Sequence, residues 1–349
     1  MRLVKITFFL MIGVTSLYFG IATPVALAET YSFVTKWGSL GNYDGLLNLP
    51  VSLAVDSSGN IYVTDTNNNR IEKFSGDGKF LDKWGTYGSS SGQFNLPTGI
   101  AIDSAGSIYV SDQSNNRIEK FDNSGNYISE FNLSQLFPRG ISIDSAGNVY
   151  FTEPDKDLLI KFATNGQALA RWGTLGPSNG QFETPVGIAL DKNANVYVAD
   201  SGNNRIQKFT SDGQFLTEWG SEGNGKGQFE DPEGITIDSE GNVYVAGTGN
   251  HRIQKFTSSG QFLTIFGSFG TGNGQFLSPT GIVVDSNGNV FVSDSDFDHP
   301  SIQKFSMENK TSSLNAQQKN VVPEFGTTTL VALTVAIIST LFFRFRLNR

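Results

Sequence analysis

Residues 97–121 read PTGIAIDSAGSIYVSDQSNNRIEKF. Three runs of β-branched and aromatic residues, GIAID, IYVSD and RIEKF, are separated by short segments of Ser, Gly, Ala and Asn, the pattern of short strands joined by turns. The stretch recurs along the chain. Its first phrase ends at Asp56, Asp103, Asp144, Asp191, Asp238 and Asp285, at spacings of 47, 41, 47, 47 and 47 residues. The second phrase ends at Asp65, Asp112, Glu153, Asp200, Gly247 and Asp294, and the third at Phe74, Phe121, Phe162, Phe209, Phe256 and Phe305. A fourth run, such as KFLDKWG or QFLTEWG, follows the first five repeats. Four short strands in each ~45-residue repeat is the pattern of a propeller blade. The chain is therefore expected to be all-β, a six-bladed β-propeller of four-stranded blades.

The sixth repeat stops after its third strand, at Phe305, and an unmatched fourth-type run, YSFVTKWG at residues 31–38, precedes the first repeat. The N-terminal strand is expected to close the last blade, which removes the open seam of the ring. The 39 glycines punctuate this plan. DSSGN, DSAGN and their kin join first and second strands, where glycine supplies the positive φ of a tight hairpin. The Gly-Gln-Phe phrases ending at Phe94, Phe182, Phe229 and Phe276 are expected to fill the spaces between blades.

Composition removes several function classes. The 349 residues include no Cys and two His, His251 and His299, so disulfides, zinc–thiolate sites and thiol catalysis are excluded, and no single chain can offer three histidines to a metal. The formal net charge is −8. Residues 29–307 alone hold 18 basic and 31 acidic side chains, a net charge of −13, which repels phosphates and argues against a nucleic-acid partner.

The ends read as targeting segments. Residues 1–28 have a basic start, an apolar run and an Ala-Leu-Ala cleavage site, as a signal peptide does. The propeller is assigned to 29–307, a polar linker to 308–325, an 18-residue apolar span to 326–343 and a basic tail to 344–349. The arginines of that tail place it on the cytoplasmic side and the propeller outside, anchored to the membrane or envelope.

The recurring GIAID…IYVSD…NNRIEKF phrase resembles the NHL repeat family, which implies a six-bladed propeller. Pro323-Glu324-Phe325-Gly326 with the apolar span and arginines after it resembles the PEF-type sorting signals of archaeal surface proteins, which implies that a lipid can replace the span. The NHL resemblance implies a binding scaffold for an extracellular protein, peptide or glycan. Two alternatives stay open. One is a lyase related to the peptidyl-hydroxyglycine or streptogramin lyases, whose resemblance implies a multi-histidine metal site or channel histidines that this sequence lacks. The other is a structural module of the envelope. The preferred reading has no catalytic residue and no cofactor.

Alternating strands put the long second-to-third and blade-to-blade loops on one face, the expected functional face. The repeats supply a baseline there. In the Asp-x-x-Asn-Asn-Arg loops (65–70, 112–117, 200–205) the Asp is expected to cap the turn and the Arg to bridge to a neighbouring loop. Departures from that loop mark candidate ligand contacts. Blade 3 carries Glu153, Asp155, Lys156 and Asp157; blade 6 carries Asp296, Asp298 and His299; blade 5 has Gly247 for the acid and His251 for an Asn. The residue after the loop proline reads Val51, Thr98, Arg139, Val186, Glu233 and Thr280. Arg139 and Glu233 are the charged exceptions and are expected at the channel mouth. Asp294-x-Asp296-x-Asp298 spaces three carboxylates as a calcium loop does, though His299 stands where such a loop needs Gly.

Overall fold

The computed structural model describes residues 29–308. The expected signal peptide, and the linker, span and tail beyond Glu308, lie outside the described residues. Among the described residues no helix is long and apolar enough to cross a membrane. Six four-stranded antiparallel sheets form the ring. Blade 1 consists of Pro50–Val55, Ile61–Asp65, Arg70–Phe74 and Phe80–Trp84, paired in that order. Blades 2 to 5 repeat this order over 97–132, 141–172, 185–219 and 232–266. Blade 6 takes three strands from 279–307 and its outermost from Tyr31–Trp37. That strand pairs antiparallel with Ser301–Met307, Tyr31 opposite Met307 and Trp37 opposite Ile302. The expected fold and its closure are both found.

Stacked blades cover both faces of a strand, so the second strands are buried without alternation, as in any sheet covered on both sides. Their tyrosines, Tyr62, Tyr109, Tyr150, Tyr197 and Tyr244, are almost fully buried. Each hydroxyl donates to the Asp that ends the first phrase, Tyr62 to Asp56 at 3.2 Å and Tyr244 to Asp238 at 3.0 Å. The other oxygen of that Asp accepts two amides of the hairpin, Ser58 and Asn60 in blade 1. One carboxylate thus ties a turn to the blade interior.

The seams are filled as expected by Phe94, Phe182, Phe229 and Phe276, all fully buried. Leu47 and Leu133 fill the remaining two, which the Gly-Gln-Phe phrase does not reveal. Near the axis the blades nearly touch. A Cβ on Gly234 would lie 1.9 Å from the carbonyl oxygen of Thr280 in the next blade, so only glycine lets these inner strands approach.

Candidate functional site

The innermost strands enclose a channel of about 320 Å³. Its mouth opens on the long-loop face. There Thr98 and Thr280 turn into the seams, Thr98 Oγ1 donating to the Pro138 carbonyl at 3.1 Å and Thr280 Oγ1 bonding Ser295. Arg139 and Glu233 instead meet each other. Arg139 Nη2 lies 2.8 Å from Glu233 Oε2, joining blades 3 and 5 across blade 4. Burial pushes the Glu233 carboxyl up, with the Arg139 charge opposing it. Both side chains keep some solvent contact, more for Arg139.

The Asp-x-x-Asn-Asn-Arg loops are structural. Arg70 Nε donates to Asp65 at 2.7 Å, and its Nη atoms donate to the carbonyls of Asn42 and Leu46, each at 2.7 Å, in the loop entering the blade. Arg117 and Arg205 repeat this. One expectation needs correction. Asp65 does not cap its own 3₁₀ turn; its Oδ1 accepts the amide of Asn48 at 2.6 Å in the entering loop. The acid is spent on holding two loops together.

The variant loops divide between seam and surface. Asp157 and His251 both sit at the left-handed position that Asn69, Asn116 and Asn204 occupy elsewhere. Asp157 Oδ1 accepts the amide of Thr184 at 2.9 Å, as Asn204 Oδ1 accepts that of Asp231. His251 Nδ1 lies 2.7 Å from the Leu277 carbonyl, and its ring stands edge-on to Phe269. Both are seam residues. Glu153 is fully buried, accepts the amide of Phe137 and leaves Oε1 without a partner. Asp155 and Lys156 are exposed, and Lys156 Nζ donates to the Gln135 carbonyl at 2.7 Å.

In blade 6, Asp294 is buried and accepts the amides of Leu277 and Ser278. Asp296 accepts the amides of Asp298 and His299, and its Oδ1 lies 3.1 Å from His299 Nδ1. The three aspartates therefore face different partners. Among the described residues no three His, Asp or Glu side chains gather to hold a metal. Among the described residues the carboxylates of Asp294, Asp296 and Asp298 do not converge as those of a calcium loop do. The structure thus brings Arg139 and Glu233 together, and Asp296 with Asp298 and His299, but does not join these two groups.

Solved structures with the same ring include a streptogramin B lyase, with TM-score 0.58 and 17% identity over 80% of this chain and 98% of that one. A catalytically inactive His-to-Ala variant of virginiamycin B lyase from Staphylococcus aureus, with quinupristin, matches with TM-score 0.55 and 19% identity over 80% and 99%. A gluconolactonase from Xanthomonas campestris matches with TM-score 0.56 and 15% identity over 75% and 87%. At these identities the likeness is one of fold. No curated relative matches the chain by sequence. The model of the virginiamycin B lyase family matches residues 42–296, five full blades and two of the four strands of the sixth, and the chain belongs to that family.

Proposed function

We propose that the protein is a surface-anchored, NHL-type propeller that binds a protein, peptide or glycan ligand at its channel mouth without turning it over. The Arg139–Glu233 pair carries this reading. Each residue is the one charge of its sign at its repeat position, and together they form an ion pair on the rim of the channel that solvent still reaches. A ligand bearing both an acceptor and a donor can insert between them and satisfy both partners, the kind of convergent polar group that fixes orientation in a pocket. The acidic ring favours ligands without phosphate. The full chain screened against peptide and glycan arrays is expected to retain hits that Arg139→Ala and Glu233→Ala each weaken by about tenfold or more, the scale of one lost polar contact. Hits indifferent to both substitutions would sink the assignment of the mouth.

A second reading, lyase activity, is favoured by the family and by His251. A carbonyl only accepts, so the contact with Leu277 calls for a proton on Nδ1 and leaves Nε2 as the nitrogen to exchange one with a substrate. Quinupristin consumption by the full chain, followed by mass spectrometry and lost in His251→Ala, would replace the binding reading with this one.

A further inference from the structure

Blade 3 lacks a side chain that the other five possess. In those five the outermost strand sets an aromatic ring, Phe80, Tyr127, Phe215, Phe262 or Phe33, opposite the third-strand phenylalanine. Each stands edge-on against the third-strand phenylalanine at 6.0–6.2 Å. In blade 3 that place is Ala168, opposite Phe162. Phe162 is 8% exposed, whereas Phe74, Phe121, Phe209, Phe256 and Phe305 are at 0–2%. The same seam has lost more. The entering segment is six residues shorter than its counterparts, and Leu158 replaces the arginine that would read that segment's carbonyls. A groove of about 530 Å³ remains, floored by Leu133, Leu136, Ile160, Phe162 and Ala168.

Its rim is cationic on an otherwise acidic ring. Arg171 and Lys156 both line it. Among the described residues the Arg171 guanidinium makes no ion pair or side-chain hydrogen bond. Lys156 spends one of its three hydrogens on Gln135. Two acids lie near them. Asp155 is in the exposed turn, and Glu153 is sealed beneath, where burial pushes its carboxyl up with the Phe137 amide, Lys156 and Arg171 opposing.

We propose that this groove binds a small aromatic carboxylate, its ring seated on Phe162 where five blades seat their own and its carboxylate held by Arg171 and Lys156. The site lies on the outermost strand of blade 3, apart from the channel that the innermost strands line, and stands independently of the function proposed above. The test is calorimetric titration of the full chain with N-acetyl-L-phenylalanine and with its uncharged amide. The acid is expected to bind at least about tenfold more tightly than the amide, the cost of an unmade charge-assisted contact. Arg171→Ala, at an exposed position, is expected to erase that preference, and Ala168→Phe to abolish binding by filling the groove with the ring other blades carry. Arg139→Ala should bind as the parent does, which separates this site from the channel mouth. No heat with the acid at millimolar concentration, equal affinity for acid and amide, or undiminished binding in a folded Ala168→Phe protein would each overturn the proposal.

Discussion

Two glutamates make a residue-scale prediction. Glu72 and Glu119 are fully buried, each accepting a backbone amide through Oε1 and leaving Oε2 without a partner. The same position in blades 4 to 6 is Gln207, Gln254 and Gln303, whose Nε2 donates to the carbonyls of Gln181, Gln228 and Gln275. A protonated glutamate supplies that missing donor. Burial, opposed in part by Arg70 and Arg117, pushes both carboxyls up to about 7. Their folded value lies above the unfolded value near 4.3, so the folded state holds the proton more tightly. The stability they contribute is complete below the unfolded value and is lost as pH rises towards 7. Glu72→Gln and Glu119→Gln should each raise stability at pH 8 by about 1–2 kcal/mol, the cost of a buried oxygen without a partner. Denaturant melts from pH 4.5 to 8 should show a flatter profile for the variants. An unchanged difference between pH 5 and pH 8 would refute the protonated assignment. None of this is legible in the letters RIEKF, because the charge of a glutamate depends on burial and on which carbonyl lies opposite it.

At the scale of elements the seams decide stability. Truncating a filler leaves a cavity between two blades, so Phe229→Ala should cost about 3–5 kcal/mol and Leu133→Ala about 2–5 kcal/mol in equilibrium unfolding. One loop can be improved. In blade 5, Gly247 replaces the acid that Arg252 needs, and Arg252 Nε is buried without a partner. No backbone strain protects the glycine, and a Cβ there meets nothing closer than Asn250 Oδ1 at 3.1 Å. Gly247→Asp should restore the pair that Asp200 makes with Arg205 at 2.8 Å and stabilise the protein by about 1–3 kcal/mol, as hydrogen bonds to charged groups do. A lower denaturation midpoint would show that the new carboxylate finds no partner. Strand phrases, blade count and closure could be read from the sequence because every repeat needs the same turn and the same buried run. The seam roles of His251 and Asp157 could not, since a left-handed Asn position looks like a variable surface loop until its partner on the next blade is known. Leu47 offered a faint signal, since Leu-Leu-Asn-Leu-Pro aligns with Gln-Phe-Asn-Leu-Pro around Phe94.

At the scale of the whole molecule the ring depends on its first ten described residues. Tyr31 stacks on Phe266 at 4.7 Å and bonds the Tyr244 hydroxyl at 2.8 Å, reaching blade 5 as well as blade 6. Lys255 Nζ, wholly buried, pairs with Glu29 at 2.6 Å, and Thr264 Oγ1 donates to the Glu29 carbonyl at 2.6 Å. Deleting residues 29–38 should lower the melting temperature by about 10 °C or more, the shift that several kcal/mol produce in a domain of this size. A deletion that melts with the parent would mean that the ring closes without this strand. The closure also fixes a direction. The strand Tyr31–Trp37 starts at the short-turn side and runs towards the long loops, and its antiparallel partner Ser301–Met307 finishes where it starts, the Glu308 amide donating to the Thr30 carbonyl at 3.0 Å. Whatever chain precedes residue 29 and whatever follows residue 308 leave side by side from the same edge. Were the chain tethered at either end, the tether would grip the disc from beneath, like a stem under a flower, and would turn the Arg139–Glu233 mouth away from the surface holding it.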